Sequence, residues 1–240
     1  MKTPKVVYRF LEYTGYEQTA KYTTFSDDTK SVHIAGRNPL QFIDEDSTFK
    51  SDSIDIKDHQ KEHSPFITRT VISFTEAITD KSLWKKFIDR GNNKSEYTGF
   101  AIGISTDKNS LDKIRECYDL DFGKVIYSDE ECILDKKYSS QDIQDEKNSE
   151  IKNWIKSVIL TKKTKYQNER EYRFYGKLKN YNLSSVYKII KVPPKCISEV
   201  ILGCKMDADV RSKTIAFCQQ YLPNIPIRTA ILENGKVVIK

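Results

Sequence analysis

Three short strand-like segments carry polar residues where a buried strand prefers apolar ones: Val6-Val7-Tyr8-Arg9-Phe10, Val71-Ile72-Ser73-Phe74-Thr75-Glu76 and Glu169-Arg170-Glu171-Tyr172-Arg173-Phe174. Side chains two apart on a strand share a face, so Ser73 goes with Thr75 and Glu169 with Glu171. Each pair can then point into one cleft together with Arg9. A guanidinium fork suits a diphosphate, and ionised carboxylates offset a positive charge developing on a sugar. Each segment also has a plainer account. Arg9 can lie at a sheet edge with its head in water. Ser73 and Thr75 are ordinary strand residues, and the Glu-Arg-Glu-Tyr-Arg run can be an edge face laced by cross-strand ion pairs. The chemical reading rests on all three segments occurring in order with strand-like flanks.

The rest of the chain supplies elements to position them. A first strand spans Lys5 to Leu11, and periodicity is weak from 12 to 61, with short strands at Val32 to Ile34 and Ile54 to Ile56. Gly36-Arg37-Asn38-Pro39 reads as a turn. Thr68 to Glu76 alternates as a strand, and Asp80 or Thr79 caps a helix carrying Leu83, Trp84, Phe87 and Ile88, stopped by Gly91. Strands follow at Thr98 to Ser105 and Lys124 to Tyr127, around a helix at Ser110 to Tyr118, and Asp129 to Glu131 reads as a solvated turn. A long helix is predicted from Ser139 to Lys163, with Ile151, Trp154, Ile155, Val158 and Ile159 as its apolar stripe and Lys162-Lys163 in solvent. The tail reads as a strand at Ser198 to Leu202, a helix capped by Asp207, and a pair of strands, Ile225 to Leu232 and Lys236 to Ile239, around Asn234-Gly235. The expected class is α+β, a mixed, mostly antiparallel sheet with flanking helices. We expect one domain over 1–240, with a polar helical insertion at about 135–163.

Forty basic residues against 34 acidic ones leave a net charge of +6, an excess modest enough to read first as a lysine-rich solvated surface. The five cysteines, Cys117, Cys132, Cys196, Cys204 and Cys218, form no Cys-x-x-Cys pair, and reduced thiols are the simpler account. No apolar run suits a signal peptide or approaches the roughly 18 residues of a membrane span, so the expected location is the cytoplasm. His33, His59 and His63 give no metal-ligand spacing, and no metal is expected. No compact Asp/Glu/Lys group stands out, which disfavours a nuclease.

Taken in order, Tyr8-Arg9, the Ser73-Phe74-Thr75-Glu76 block, Leu83-Trp84, Gly99-Phe100-Ala101-Ile102, Val125-Ile126-Tyr127, Glu169 to Arg173 and Glu199 to Gly203 resemble the bacterial family catalogued as domain of unknown function 2971. The resemblance runs from Arg9 to Gly203. It departs where that family has an Asn-Asp-Pro turn after the first strand, since this chain offers only Asn38-Pro39. The order arginine, Ser-x-Thr, Glu-x-Glu is also similar to the arginine-serine-glutamate class of mono-ADP-ribosyltransferases. That similarity implies a split-sheet core and NAD as cofactor. It implies that Arg9, with Tyr8 beside it, binds the cofactor, that Ser73 and Thr75 support its ribose and orient the glutamate, and that Glu171 is catalytic. Glu169 takes the position that helps choose the acceptor, and Tyr166 and Arg173 meet the target. Tyr97 and Phe100 are expected to supply a stacking surface for nicotinamide or adenine. The acceptor is then a macromolecule, nucleic acid or protein, and the setting a bacterial toxin or phage-defence system. The competing expectation is a binding module without turnover, in which Tyr166, Tyr172 and Arg173 contact nucleic acid or a partner protein.

Overall fold

The strand at Arg69–Thr75 organises the molecule, because both of its edges are hydrogen-bonded and six of its seven residues are buried. The computed structural model describes residues 3–11, 25–26, 31–37, 69–86, 97–132, 142, 146, 148–177 and 187–240. In chain order the strands are β1 (Val6–Leu11), β2 (Phe25–Ser26), β3 (Ser31–Arg37), β4 (Arg69–Thr75), β5 (Phe100–Ser105), β6 (Leu120–Lys124), β7 (Ile126–Tyr127), β8 (Thr161–Lys162), β9 (Glu171–Lys177), β10 (Tyr187–Val192), β11 (Ile197–Gly203), β12 (Ile227–Glu233) and β13 (Lys236–Ile239). The helices are α1 (Lys81–Lys86), α2 (Lys108–Tyr118), α3 (Ser149–Leu160) and α4 (Ala208–Tyr221), with 3-10 turns at Thr164–Glu169 and Pro194–Cys196. The class is α+β with a mostly antiparallel sheet.

Eleven strands form the main sheet along the path β10-β3-β4-β1-β5-β11-β12-β13, with β2 on β3, β9 on β4 and β6 on β9. The β11–β12 pair is parallel, and α4 makes the crossover that a parallel pair requires. β9 follows the whole of β4, from Arg69↔Lys177 to Thr75↔Glu171. The opposite edge of β4 is shared: Val71 faces Arg37 of β3, and Thr75 faces Tyr8 of β1. The sheet forks at β4.

Alternation sorts the core onto two faces. Arg9 pairs with Ile102, and Ile102 with Val200, and this register belongs to a cluster with Val7, Phe74, Phe174 and Ile114 of α2. Phe10 pairs with Ala101, and Ala101 with Ile201, on the other face with Leu83, Trp84 and Tyr97. The predicted caps are in place: Asp80 Oδ1 accepts from Ser82 N at 2.7 Å, and Asp207 Oδ1 accepts from Asp209 N and Val210 N. Asp107 and Asn148 cap α2 and α3 in the same manner. Gly203 closes β11 against the 97–99 segment, donating its N–H to Gly99 O at 2.8 Å.

Several sequence expectations are corrected. Gly36 and Arg37 end β3 as paired strand residues instead of opening a turn, because β10 and β4 hydrogen-bond to them; Asn38-Pro39 lies outside the described residues, as do Ile54 to Ile56, Phe87, Ile88 and Gly91. The expected strand at Lys124 to Tyr127 is two strands, with Val125 between them donating to Glu171 O at 2.9 Å. The long helix begins its described course at Ser149 and stops at Leu160, where Thr161-Lys162 leaves to pair in parallel with Ile126-Tyr127. Its stripe packs inward, with Ile151, Trp154, Ile155 and Ile159 buried, Val158 half-buried and Trp154 Nε1 donating to Cys132 O. Among the described residues no helix is long and apolar enough to cross a membrane.

Candidate active site

The register of three neighbouring strands assembles the site. Tyr8 of β1 faces Thr75 of β4, and Thr75 faces Glu171 of β9, so these three side chains start from one face of the sheet. Ser73, paired with Arg173, lies on that face too. Arg9 is one residue further along and starts on the opposite face. At the fork its Nη1 reaches back to donate to Ser73 O at 2.9 Å, supplying a donor where β1 has parted from β4. Arg9 therefore anchors the backbone of the Ser-x-Thr strand from the face opposite Glu171, and does not share one cleft with the carboxylate as expected.

Glu171 is the centre, and it is 4 % exposed. Arg173 grips it with a two-pronged fork, Nε to Oε1 at 2.7 Å and Nη2 to Oε2 at 3.2 Å. Lys162 Nζ donates to Glu171 Oε2 at 3.2 Å and to Glu169 Oε2 at 2.5 Å, bridging the two carboxylates. The Ser73 hydroxyl faces the same carboxylate and helps to hold it down. Burial pushes the Glu171 carboxyl upward, but attraction to Arg173 and Lys162 and the donors from Arg173 and Ser73 outweigh it and hold the group down at about 2.

The neighbours are fixed by the backbone. Glu169 and Glu171 do not share a strand: Glu169 ends the 3-10 turn, Arg170 follows in the left-handed region at φ 43°, and β9 begins at Glu171. The reversal at Arg170 is what turns both carboxylates toward Lys162. Thr75 Oγ1 donates to Glu169 O and accepts from Ala77 N at 2.8 Å, so it secures the end of that turn. Tyr127 OH accepts from Glu171 N at 2.8 Å, and burial together with the two glutamates pushes its own pKa up, keeping the phenol neutral. Tyr166 lies on the 3-10 turn with the Lys162 and Lys165 ammonium groups each 4.8 Å from its ring centre.

No family model, curated protein or solved structure matches the chain. What the site can do is carried by its atoms alone.

Several proposed contacts fall elsewhere. Arg173 is 5 % exposed and spends its guanidinium on Glu171 and on Ile159 O, so it orients a carboxylate and is not placed to meet a target. Tyr97 stacks on Trp84 inside the core, with ring centres 6.1 Å apart and planes within 10°, and is 1 % exposed; Phe100 is buried in the other cluster. Packing takes both rings, and neither presents a face for stacking. Tyr8 OH donates to Glu199 Oε1 at 2.6 Å, with Arg228 on the far oxygen of Glu199 at 3.1 Å, so its hydroxyl is directed toward β11. The described residues place no group of three or more His, Cys, Asp or Glu side chains to hold a metal ion. A cavity of about 340 Å³ opens at the other end of β4 and β9, where Glu146 ties Arg69 to Lys177, and neither Ser73 nor Glu171 lines it.

Two members of the site escape sequence reasoning. Lys162 reads as the solvated end of a helix, yet it joins the two carboxylates and so builds a compact Glu/Glu/Lys group where none was expected. Tyr127 carries no signal at all, since its role depends on where β7 lies against β9.

The depressed carboxyl has a measurable consequence. Because the folded value of Glu171 lies below its ordinary 4.5, the ionised group stabilises the fold above about pH 4.5, and that contribution is lost as pH falls toward about 2. We expect a loss of about 3 kcal/mol across that window from this residue. Urea unfolding at a series of pH values checks it, and Glu171→Gln should flatten the slope.

Proposed function

We propose that the chain is an ADP-ribosyltransferase-like enzyme that consumes NAD, either transferring ADP-ribose to a macromolecule or hydrolysing NAD, and that Glu171 is its catalytic carboxylate. The observation that carries this reading is that Arg9 holds the Ser73 backbone while Ser73 and Glu171 share one face across the adjacent strands β4 and β9. It is the order that the arginine, Ser-x-Thr and Glu-x-Glu blocks imply. The resemblance to the domain of unknown function 2971 family and a setting in bacterial toxin or phage defence belong to the same proposal.

The chemistry asks for an anion that stays ionised. Breaking the nicotinamide–ribose bond sends its electron pair to the nicotinamide nitrogen and leaves positive charge on the ribose. Glu171, held down at about 2, offsets that charge and accepts a hydrogen bond from a ribose hydroxyl. Arg173 keeps the carboxylate oriented, and Ser73 fixes it to β4. Water or an acceptor nucleophile then bonds to the ribose carbon and gives up its proton to solvent. Tyr166, half-buried on the 3-10 turn, is the residue that would meet the acceptor, with Glu169 buried behind it against Lys162.

The test is to incubate wild type and Glu171→Gln with NAD, with and without RNA, DNA and cell extract, and to follow nicotinamide by mass spectrometry. Wild type should release it, and the variant should be slower by at least about a hundredfold while keeping its circular dichroism. An active, folded Glu171→Gln protein would refute the assignment.

One observation favours a second reading. Glu171 is 4 % exposed with its acceptors engaged, as in a structural ion cluster, and Lys163, Lys165 and Tyr166 stand outside it. That arrangement suits a module that binds nucleic acid without turnover. Silence from wild type with NAD, together with nucleic-acid affinity that falls steeply with salt, would select it.

A further inference from the structure

We propose that Lys162 is a latch on this site: its ammonium closes the Glu169 and Glu171 carboxylates, and a ligand reaches Glu171 only after that ammonium has left. The identity of the ligand as NAD rests on the reading above; the latch does not.

The argument is a count of acceptors. An ionised carboxylate offers about four lone-pair sites. Three donors sit on Glu171, Arg173 Nε, Arg173 Nη2 and Lys162 Nζ, and the Ser73 hydroxyl faces the same carboxylate. A ribose hydroxyl finds no seat there until one of them goes. Arg173 is not the one, because its side chain is 6 % exposed, its fork is closed on Glu171 and its Nη1 is tied to Ile159 O. Ser73 is held through its backbone by β9 on one edge and by Arg9 on the other. Lys162 is held less on Glu171: its side chain is 20 % exposed, it makes one bond there at 3.2 Å where Arg173 makes two at 2.7 and 3.2 Å, and it stands on a two-residue strand at the end of a flexible stem, its closer bond, 2.5 Å, going to Glu169. The Tyr166 ring, already 4.8 Å away, offers its ammonium a second resting place. A ligand that unlatches the site therefore brings an anion for Lys162 along with a hydroxyl for Glu171. A dinucleotide diphosphate has both.

The same geometry gives the pH dependence its sign. The groups facing the ammonium are Glu169 and Tyr166 of the 3-10 turn, Glu171 and Arg173 of β9, Ser73 of β4 and Tyr127 of β7, with Lys165 across the Tyr166 ring. Without Lys162, Glu171 loses one of the two cations that hold its carboxyl down and keeps Arg173. It then holds a proton to higher pH.

Carbodiimide labelling with glycine ethyl ester, located by peptide mass spectrometry, tests the latch without NAD. Labelling of Glu169 and Glu171 should rise several-fold in Lys162→Met and stay at the wild-type level in Lys162→Arg; no rise in Lys162→Met overturns the proposal. Lys162→Gln, which keeps a neutral donor, should fall between them and serves if the methionine variant does not fold. Nicotinamide release gives the second readout: Lys162→Met should overtake wild type toward alkaline pH and fall behind it toward acid. A folded Lys162→Met slower than wild type at every pH overturns the latch. Raised labelling with no nicotinamide from either protein supports the latch and defeats the NAD reading.

Discussion

Arg173→Met is expected to cost the fold about 3–5 kcal/mol, because it strands a buried carboxylate without its main partner. Glu171 and Arg173 are 4 % and 5 % exposed, so water does not replace the lost fork. The variant also removes the donor to Ile159 O at the end of α3, loosening the helix that delivers Lys162. Urea unfolding followed by circular dichroism measures the loss. The double variant Arg173→Met/Glu171→Leu should recover most of it, since a well-packed apolar pair replaces a buried ion pair at little cost. A single variant within about 1 kcal/mol of wild type would mean that the cluster is far wetter than its burial indicates.

Gly203→Ala is the second large effect, and its cause is steric. A Cβ at this position would stand 2.0 Å from Tyr97 O and 2.5 Å from Tyr97 C, with Gly99 O at 2.9 Å. These are backbone atoms, held by the bonds from Gly203 N to Gly99 O and from Lys205 N to Tyr97 O, so no side chain can rotate away to make room. The expected loss is about 3 kcal/mol or more, at the upper end of overpacking effects. Thermal unfolding reads it directly. A variant that melts with wild type would show that the 97–99 segment shifts as a unit and that its contact with β11 is not tight.

How much of this was readable from sequence depends on how local each feature is. The strands β1, β4 and β9 follow from alternation, and the stripe Ile151, Trp154, Ile155, Ile159 from helical spacing, because both periods are properties of the chain itself. The convergence of Ser73 and Glu171 was readable because each lies inside such a strand. The turn at Arg170 was not: a non-glycine residue at φ 43° carries no reliable signature, so Glu169 read as a strand partner of Glu171. Lys162 was missed for a different reason. Helical periodicity continues plausibly through Thr161-Lys162, and only the pairing with β7, a contact across 35 residues, ends α3 at Leu160. Arg173 is the instructive middle case. Its spacing from Glu171 puts the two on one face, which is readable, but whether that face meets solvent or the end of α3 is decided by tertiary packing.

The pairing of β9 along all of β4 also has a consequence during synthesis. A ribosome must complete Lys177 before the last strand of the centre can dock, although Arg9 and Ser73 emerged long before. In the interval β4 presents an unpaired edge from Arg69 to Thr75 with Val71, Ile72 and Phe74 along it, the kind of surface on which nascent chains stick to one another. The charged group that completes the site thus arrives with the strand that covers this edge, and a chain interrupted before β9 has neither the chemistry nor the protection.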